Sequence, residues 1–277
     1  MRFNKVYEFK AANDGIVDMA FCENFLFTCA KDDYVRKWNS LNFSLLAEIK
    51  AHDKDVRILK FFPDLKSFLT SSEDGDIKEF DIQLNFIRDY KPHATRVNDI
   101  DFIDDLSFVT ASDDGLVRIY RRGSSSFKEK NFKIGDVEAV SYYKRFILAG
   151  GSKLVIADED LNEYMSFDDD YLYGVDGIYP YKELIFISRS MEKKLEIRDG
   201  DFKIVNVYKM PSWINDIKFI KDYIFCAVSN VIYVFDKNMN EIAKNDYYEA
   251  EIYDMEFFGE KLFCGYDDGF IRVWQIM

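Results

Sequence analysis

Histidine is nearly missing from this chain: His52 and His93 are the only two in 277 residues. Chemistry that needs an imidazole base or a histidine-rich metal site has little to draw on. Cysteine is scarce as well. Four cysteines are too few for a disulfide framework in a chain of this length, and no C-x-x-C or H-E-x-x-H spacing occurs. No apolar run reaches the ~18 residues of a membrane-spanning helix, and the N-terminal MRFNKVYEFKAANDG lacks the apolar stretch of a secretory leader. No window sustains a 3.6-residue apolar period, so almost no helix is expected. Phosphate-cradling glycine loops are also absent, since Gly150-Gly151 is followed by neither Lys-Ser nor Lys-Thr and reads as a tight β-turn. The expectation is a soluble, untargeted protein of the cytoplasm, without cofactor.

Aromatic residues are abundant instead, with 26 Phe and 18 Tyr against 4 Pro. Such residues suit pleated, half-buried surfaces and point to an all-β chain. The formal charge of −13 repels phosphate backbones and anionic lipid headgroups, which argues against nucleic acid and membrane partners.

The β-rich sequence is periodic. The segments VDMAF, RILKF, NDIDF, EAVSY, VDGIY, NDIKF and YDMEF open seven successive units. Their second residues are Asp18, Ile58, Asp99, Ala139, Asp176, Asp216 and Asp254, spaced by 40, 41, 40, 37, 40 and 38 positions. An aromatic follows three residues later in every unit. Apolar residues at offsets −2, +1 and +3 share one face of a period-two strand only if one extra residue is inserted, so a β-bulge is expected in each unit. Five of the seven column residues are Asp, whose carboxylates suit backbone N–H groups exposed at a bulge.

The third strands end at Trp38, Phe80, Tyr120, Ala157, Arg198, Phe235 and Trp274. Only three residues follow Trp274, too few for an outer strand, while 17 precede Asp18. Pairing the N-terminal strand around Lys5–Phe9 with the last unit resolves both facts and leaves no open edge. The expected fold is a single domain over 1–277: a seven-bladed β-propeller of four-stranded antiparallel blades, its ring closed by the N-terminal strand joining the C-terminal blade.

With His93, VNDIDF, VTASDDG and VRIY in the third unit, LTSSEDG and IKEF in the second and GYDDGFIRVW in the seventh, the chain resembles the WD40-repeat propellers. Units four, five and six lack the Asp-Gly turn. The resemblance implies a buried network of His, Ser or Thr, turn Asp and a third-strand aromatic. Matched residue by residue, these are His93, Ser112, Asp114 and Tyr120 in the third unit, and His52, Ser72 and Asp74 in the second, where Phe80 stands in the aromatic position and lacks a polar hydrogen. Asp32 and Asp268 are the turn acids of units one and seven.

Both histidines stand six residues before the repeat column, the mark of a structural residue, which leaves no base for a Ser-His-Asp or Cys-His set. The acidic run Asp168-Asp169-Asp170 lacks the ligand spacing of a calcium loop. What remains is surface. The bulge should turn Val17, Arg57, Asn98, Glu138, Val175, Asn215 and Tyr253 outward at one rim, with Arg96, Tyr173 and Trp213 two residues earlier in their units. These positions carry no repeated identity, so packing does not dictate them. In the resemblance this rim is the usual protein-binding face, and Arg57, Arg96, Asn98, Glu138, Tyr173, Trp213 and Tyr253 are the candidate partner-binding residues. The expected function is a non-catalytic scaffold or adaptor, a monomer alone or a subunit of a complex, holding a protein or peptide such as a basic or amphipathic segment. The alternative is a propeller hydrolase or lyase with a metal held by the carboxylate column.

Overall fold

A computed structural model of the chain describes residues 1–167, 174–245 and 249–277. Its described residues fold into seven four-stranded antiparallel sheets, each with its strands in chain order except the last, and these are the blades of a β-propeller. One 3-10 turn, Ser190–Glu192, is the only helical element among the described residues. The chain divides into two compact units: Met1–Leu59 with Ile214–Met277 (unit 1), and Lys60–Trp213 (unit 2).

Unit 1 holds blade 1 (inner strand Ile16–Cys22), blade 6 (inner strand Ile214–Ile220) and blade 7 (inner strand Ile252–Phe258). Blade 7 takes its outer strand from the N-terminus. Phe3–Lys10 pairs antiparallel with Phe270–Ile276 in the register Phe3↔Ile276 to Lys10↔Phe270. Beyond this ladder, Arg2 and Met277 exchange both backbone hydrogen bonds, at 2.8 and 3.1 Å. The N-terminal strand thus closes the last blade, and its aromatic residues cover two third-strand tryptophans: Phe3 meets Trp274 edge-on at 6.0 Å, and Phe9 meets Trp38 at 5.2 Å. Between blades 7 and 1 the core comprises Ile16, Met19, Leu26, Phe263, Ile271 and Val273. Each such side chain contributes about 1.5–3 kcal/mol on burial.

Unit 2 holds blade 3 (inner strand Val97–Phe102), blade 4 (inner strand Ala139–Tyr143), blade 5 (inner strand Gly177–Tyr181) and most of blade 2, whose first strand Val56–Phe61 contains the unit boundary. Val109, Val117, Val137, Val140, Ile147 and Val155 fill the space between blades 3 and 4. The period-two pattern places these β-branched residues on one face of each strand, where they interlock across blades.

The expected bulges occur in blades 1, 3, 6 and 7, where the register shifts between Ile16 and Asp18, Val97 and Asp99, Ile214 and Asp216, and Ile252 and Asp254. In blades 4 and 5 the ladder starts only after that point, at Ala139↔Gly150 and Gly177↔Ser188, and the preceding Glu138 and Asp176 N–H groups reach the carbonyls of the same two residues at 2.8 and 3.2 Å. The column residues of these two blades differ from the others: Ala139 has no carboxylate, and Asp176 bonds Ser188 Oγ at 2.6 Å and the Ser190 N–H at 2.7 Å within its own blade.

Turn chemistry explains the irregular units. In the Asp-Gly turns Gly75 and Gly115 have φ of +90° and +77°, conformations in which a side chain is strained. Blades 1, 5 and 6 make the same left-handed step with Asp33, Lys193 and Ser229, at φ of 72°, 55° and 53°. The turn persists without its glycine at some cost in backbone strain.

Candidate protein-interaction surface

The inner strands carry two sets of polar residues, one holding the fold and one facing outward. In the first set, each bulge aspartate accepts a hydrogen bond from the neighbouring blade. Asp18 Oδ2 takes the Leu59 N–H at 2.8 Å, Asp99 Oδ2 the Val140 N–H at 3.0 Å, Asp216 Oδ2 the Met255 N–H at 3.0 Å, and Asp254 Oδ2 the Met19 N–H at 2.8 Å. The other oxygen of Asp18, Asp99 and Asp216 accepts the next residue's own N–H at 2.8 Å. These carboxylates therefore fasten neighbouring inner strands, 39 to 41 residues apart in sequence for Asp18, Asp99 and Asp216 and 235 apart for Asp254, through the charge-assisted bonds that backbone donors give an anion.

Burial makes these acids weak ones. In unit 1 burial, reinforced by Asp254, pushes Asp18 well up, and burial raises Asp254 to about 7. In unit 2 burial raises Asp99 to about 6. The unit 1 carboxylates surround one cation: Lys218 Nζ lies 2.7 Å from Glu256 Oε1, 3.4 Å from Asp254 Oδ1 and 3.7 Å from Asp216 Oδ2. That ammonium already supplies the positive charge the acids need.

The histidine network is fully formed in blade 3. His93 Nδ1 lies 2.9 Å from Asp114 Oδ2, and His93 Nε2 lies 2.8 Å from Thr110 Oγ1. The hydroxyl against the imidazole thus belongs to Thr110; Ser112 Oγ instead donates to the Arg96 carbonyl at 2.8 Å and accepts the Asp114 N–H at 3.2 Å. Tyr120 donates its hydroxyl to the Lys91 carbonyl at 2.8 Å and meets the His93 ring edge-on. Acid, imidazole and hydroxyl in this order resemble an acyl-transfer triad, but His93 is 4% exposed and Thr110 0%, so no substrate reaches the hydroxyl. Burial holds the His93 pKa below its ordinary value, keeping the ring neutral. Of the blade 2 residues, His52 is buried in unit 1; in unit 2, Ser72 Oγ accepts the Asp74 N–H at 3.2 Å, and Asp74 accepts the Asp76 N–H at 2.9 Å.

The outward set behaves differently. In unit 2, Arg96, Asn98 and Glu138 converge on Asp113. Arg96 Nε lies 3.1 Å from Asp113 Oδ2, Asn98 Nδ2 donates to Asp113 Oδ1 at 2.6 Å, and Arg96 Nη2 stands 4.0 Å from Glu138. Burial and the Asp113 charge raise Glu138 above the usual carboxylate range. Asp113, Asp136 and Glu138 bring one oxygen each within 4.8 Å of one another, with Arg96 and Asn98 already donating to Asp113. Trp213 is 42% exposed. In unit 1, Tyr253 accepts a hydrogen bond from Lys31 Nζ at 3.1 Å, and Arg57 is half-buried. Tyr173 and the run Asp168–Asp170 lie outside the described residues.

Asp113 and Lys31 were not among the sequence candidates. Both follow the last residue of a second strand, a position that also holds Ser229 and Asp267 and in blade 1 switches to a cation. Aligning that turn column beside the first-strand column exposes the change of sign.

Fold and repeat together define the class: a seven-bladed β-propeller in which the stretch through the second and third blades carries repeats of the WD40 type. The family described as WD domain, G-beta repeat matches residues 43–81 and 84–121. The Shk1 kinase-binding protein 15 of Schizosaccharomyces pombe is 24% identical over 209 residues, which are 72% of this chain and 59% of that protein. Polyadenylation factor subunit 2 of Cryptococcus neoformans is 29% identical over 84 residues, 30% of this chain and 12% of that protein. Its Candida albicans counterpart is 26% identical over 84 residues, 30% and 16% respectively. The chain thus spans about three-fifths or less of the curated relatives it matches. A crystal structure of the computationally designed Ika8 protein superposes with a TM-score of 0.74 at 17% identity, over 98% of this chain and 99% of that one, a likeness of fold.

Proposed function

We propose that this protein is a non-catalytic scaffold that holds a protein or peptide partner on the rim formed by the outward inner-strand residues. The observation that carries the reading is the division of labour along each inner strand. Residues at the repeated offsets are buried or fasten neighbouring blades, while Arg57, Arg96, Asn98, Glu138, Trp213 and Tyr253 follow no repeat. Trp213 supports it most directly, because an indole left 42% exposed is an anchor of the kind that dominates binding energy. The names of the relatives, a kinase-binding protein and a factor subunit, agree with such a role. A partner with a basic segment would pair with the acidic and aromatic stretch Asp168–Tyr173. The four cysteines are buried thiols, consistent with the cytoplasm as the compartment we propose.

Lys218 is the reason to prefer this reading over a metal-dependent hydrolase. The carboxylates that such an enzyme would place around its ion already enclose an ammonium. The test is affinity capture from native extract, with wild type beside a variant carrying Arg57→Glu, Arg96→Glu and Trp213→Ala. The scaffold reading expects specific partners with wild type and their loss with the variant, whose thermal unfolding stays cooperative. Equal recovery by both proteins refutes the rim as the binding face.

A further inference from the structure

We propose that the outer edge of blade 5, the strand Ile204–Lys209 in unit 2, takes an added β-strand from a partner, an extended apolar segment with a carboxylate at the end that lies beside Lys209. The inference goes beyond the rim reading and does not depend on it.

This strand is the last of its sheet, and among the described residues no strand pairs with its outer side. Proteins blunt such edges with charge or proline, because a row of open N–H and C=O groups is a template for another chain. In the other six outer strands no uncharged run exceeds four residues, and the run of four, Tyr164 to Phe167 in blade 4, is half-buried after its first residue. Ile204-Val-Asn-Val-Tyr208 runs five residues without a charge or a proline. Its Ile204, Val205 and Val207 are 45%, 57% and 38% exposed, β-branched side chains that suit a further strand and stand in water.

Backbone register shows which groups are open. The Met210 N–H bonds the Lys193 carbonyl at 2.7 Å, in the register that also pairs Tyr208 with Leu195 and Asn206 with Ile197. Hydrogen-bonded residues alternate along an antiparallel ladder, so the backbone groups of Asn206 and Tyr208 turn toward the third strand and those of Val207 and Lys209 toward the open edge. The Val207 donor is plugged from within: Asn206 Oδ1 accepts it at 2.8 Å, while Asn206 Nδ2 donates to the Tyr208 hydroxyl at 2.8 Å. A side-chain amide thus stands where a partner's carbonyl would, and Asn206 is exposed, free of packing that would stop it turning away. An incoming strand exchanges one hydrogen bond for another at Val207 and gains the rest of the ladder.

Charge selects the occupant. Lys209 stands opposite Lys194 in the ladder, and the exposed Lys193 precedes Lys194. Among the described residues one acid answers this corner: Glu192 pairs with Lys194 at 2.7 Å, and no ion pair holds Lys209. A carboxylate opposite Lys209 relieves the excess of positive charge. The far end is balanced, since Lys203 has Asp201 at 4.0 Å. A second copy pairing through the same edge cannot supply the acid, because Ile204–Lys209 contains none and brings its own basic corner. The added strand therefore belongs to another protein.

The test uses the full chain labelled with nitrogen-15 at valine and follows hydrogen exchange of the Val207 N–H, assigned by its loss in Val207→Ile. Three peptides are added at equal concentration: Glu-Thr-Val-Thr-Val-Thr-Glu, Lys-Thr-Val-Thr-Val-Thr-Lys, and Glu-Thr-Val-Pro-Pro-Thr-Glu, whose prolines cannot continue a ladder. The proposal expects the first alone to slow Val207 exchange, by about tenfold, and Lys209→Glu to transfer that protection to the lysine-ended peptide with an unchanged unfolding midpoint. Asn206→Ala, which removes the plug, should tighten the acidic peptide about threefold. Val207 exchange unmoved by the acidic peptide, or slowed as much by the proline peptide, overturns the proposal. Protection that rises with protein concentration alone, together with a dimer in sedimentation, also overturns it and assigns the edge to a second copy.

Discussion

Replacing Lys218 by Met tests whether one ammonium holds the unit 1 carboxylates together. Its Nζ lies within 4 Å of Glu256, Asp254 and Asp216, and its side chain is 27% exposed. Taking away one partner of a buried ion pair costs about 3–5 kcal/mol, because the charges left behind stay desolvated. Those charges have an escape: burial has already raised Asp254 to about 7, and without Lys218 the acids rise further. A carboxyl raised in the fold binds more protons folded than unfolded, so its contribution to stability falls as pH rises, by about 1.4 kcal/mol per pH unit until the folded pKa is passed. Denaturant unfolding of Lys218→Met should therefore show a loss of about 4 kcal/mol at pH 7.5 and about 2 kcal/mol at pH 5.5. Adding Asp254→Asn should restore part of the loss at pH 7.5, measured as a coupling in a double-mutant cycle. An equal loss at both pH values, or one below about 1 kcal/mol, refutes the account.

The wild-type chain should itself lose about 4 kcal/mol between pH 5 and 7.5, since the folded pKa values of Asp254 and Asp99 are near 7 and 6, and Asp254→Asn should remove more than half of that slope. His93→Ala, which strips Thr110 and Asp114 of their shared partner, should cost about 2–4 kcal/mol by urea unfolding. Because burial lowers the His93 pKa, the wild-type advantage over that variant should shrink as pH falls below about 6.5, where the unfolded imidazole gains its proton. Deleting residues 1–10 removes the outer strand of blade 7 and uncovers Trp274 and the open edge of Phe270–Ile276; red-shifted tryptophan emission, rapid proteolysis and aggregation are expected.

Local rules carried much of the architecture. Period-two alternation, the Asp column at roughly forty-residue spacing and the shortage of residues after Trp274 were enough to place seven blades and to assign Phe3–Lys10 to the last one. These features depend on neighbours along the strand, which sequence displays directly. The turns of blades 5 and 6 were hidden because Lys193 and Ser229 take a left-handed conformation that nothing in their identity announces. The different column chemistry of blades 4 and 5 is legible only in part: Ala139 announces it, but Asp176 looks like its column mates and differs by turning to Ser188.

Contacts between blades were decided by tertiary structure, because they join residues some forty to more than two hundred positions apart whose side chains meet only once the sheets stack. Sequence offered Ser112 as the hydroxyl beside His93, and the strand geometry presented Thr110. It showed a column of acids but not that Lys218 lies among those of unit 1. It listed Arg57 and Arg96 as equals, whereas the fold sets Arg96 against Asp113, with Nε 3.1 Å from Oδ2. The repeat determined where each blade begins, ends and closes, since hydrogen-bonded strands answer to local pattern. Which charges are neutralised from within was settled only by packing, since an ion pair depends on distance in space and burial rather than on distance along the chain.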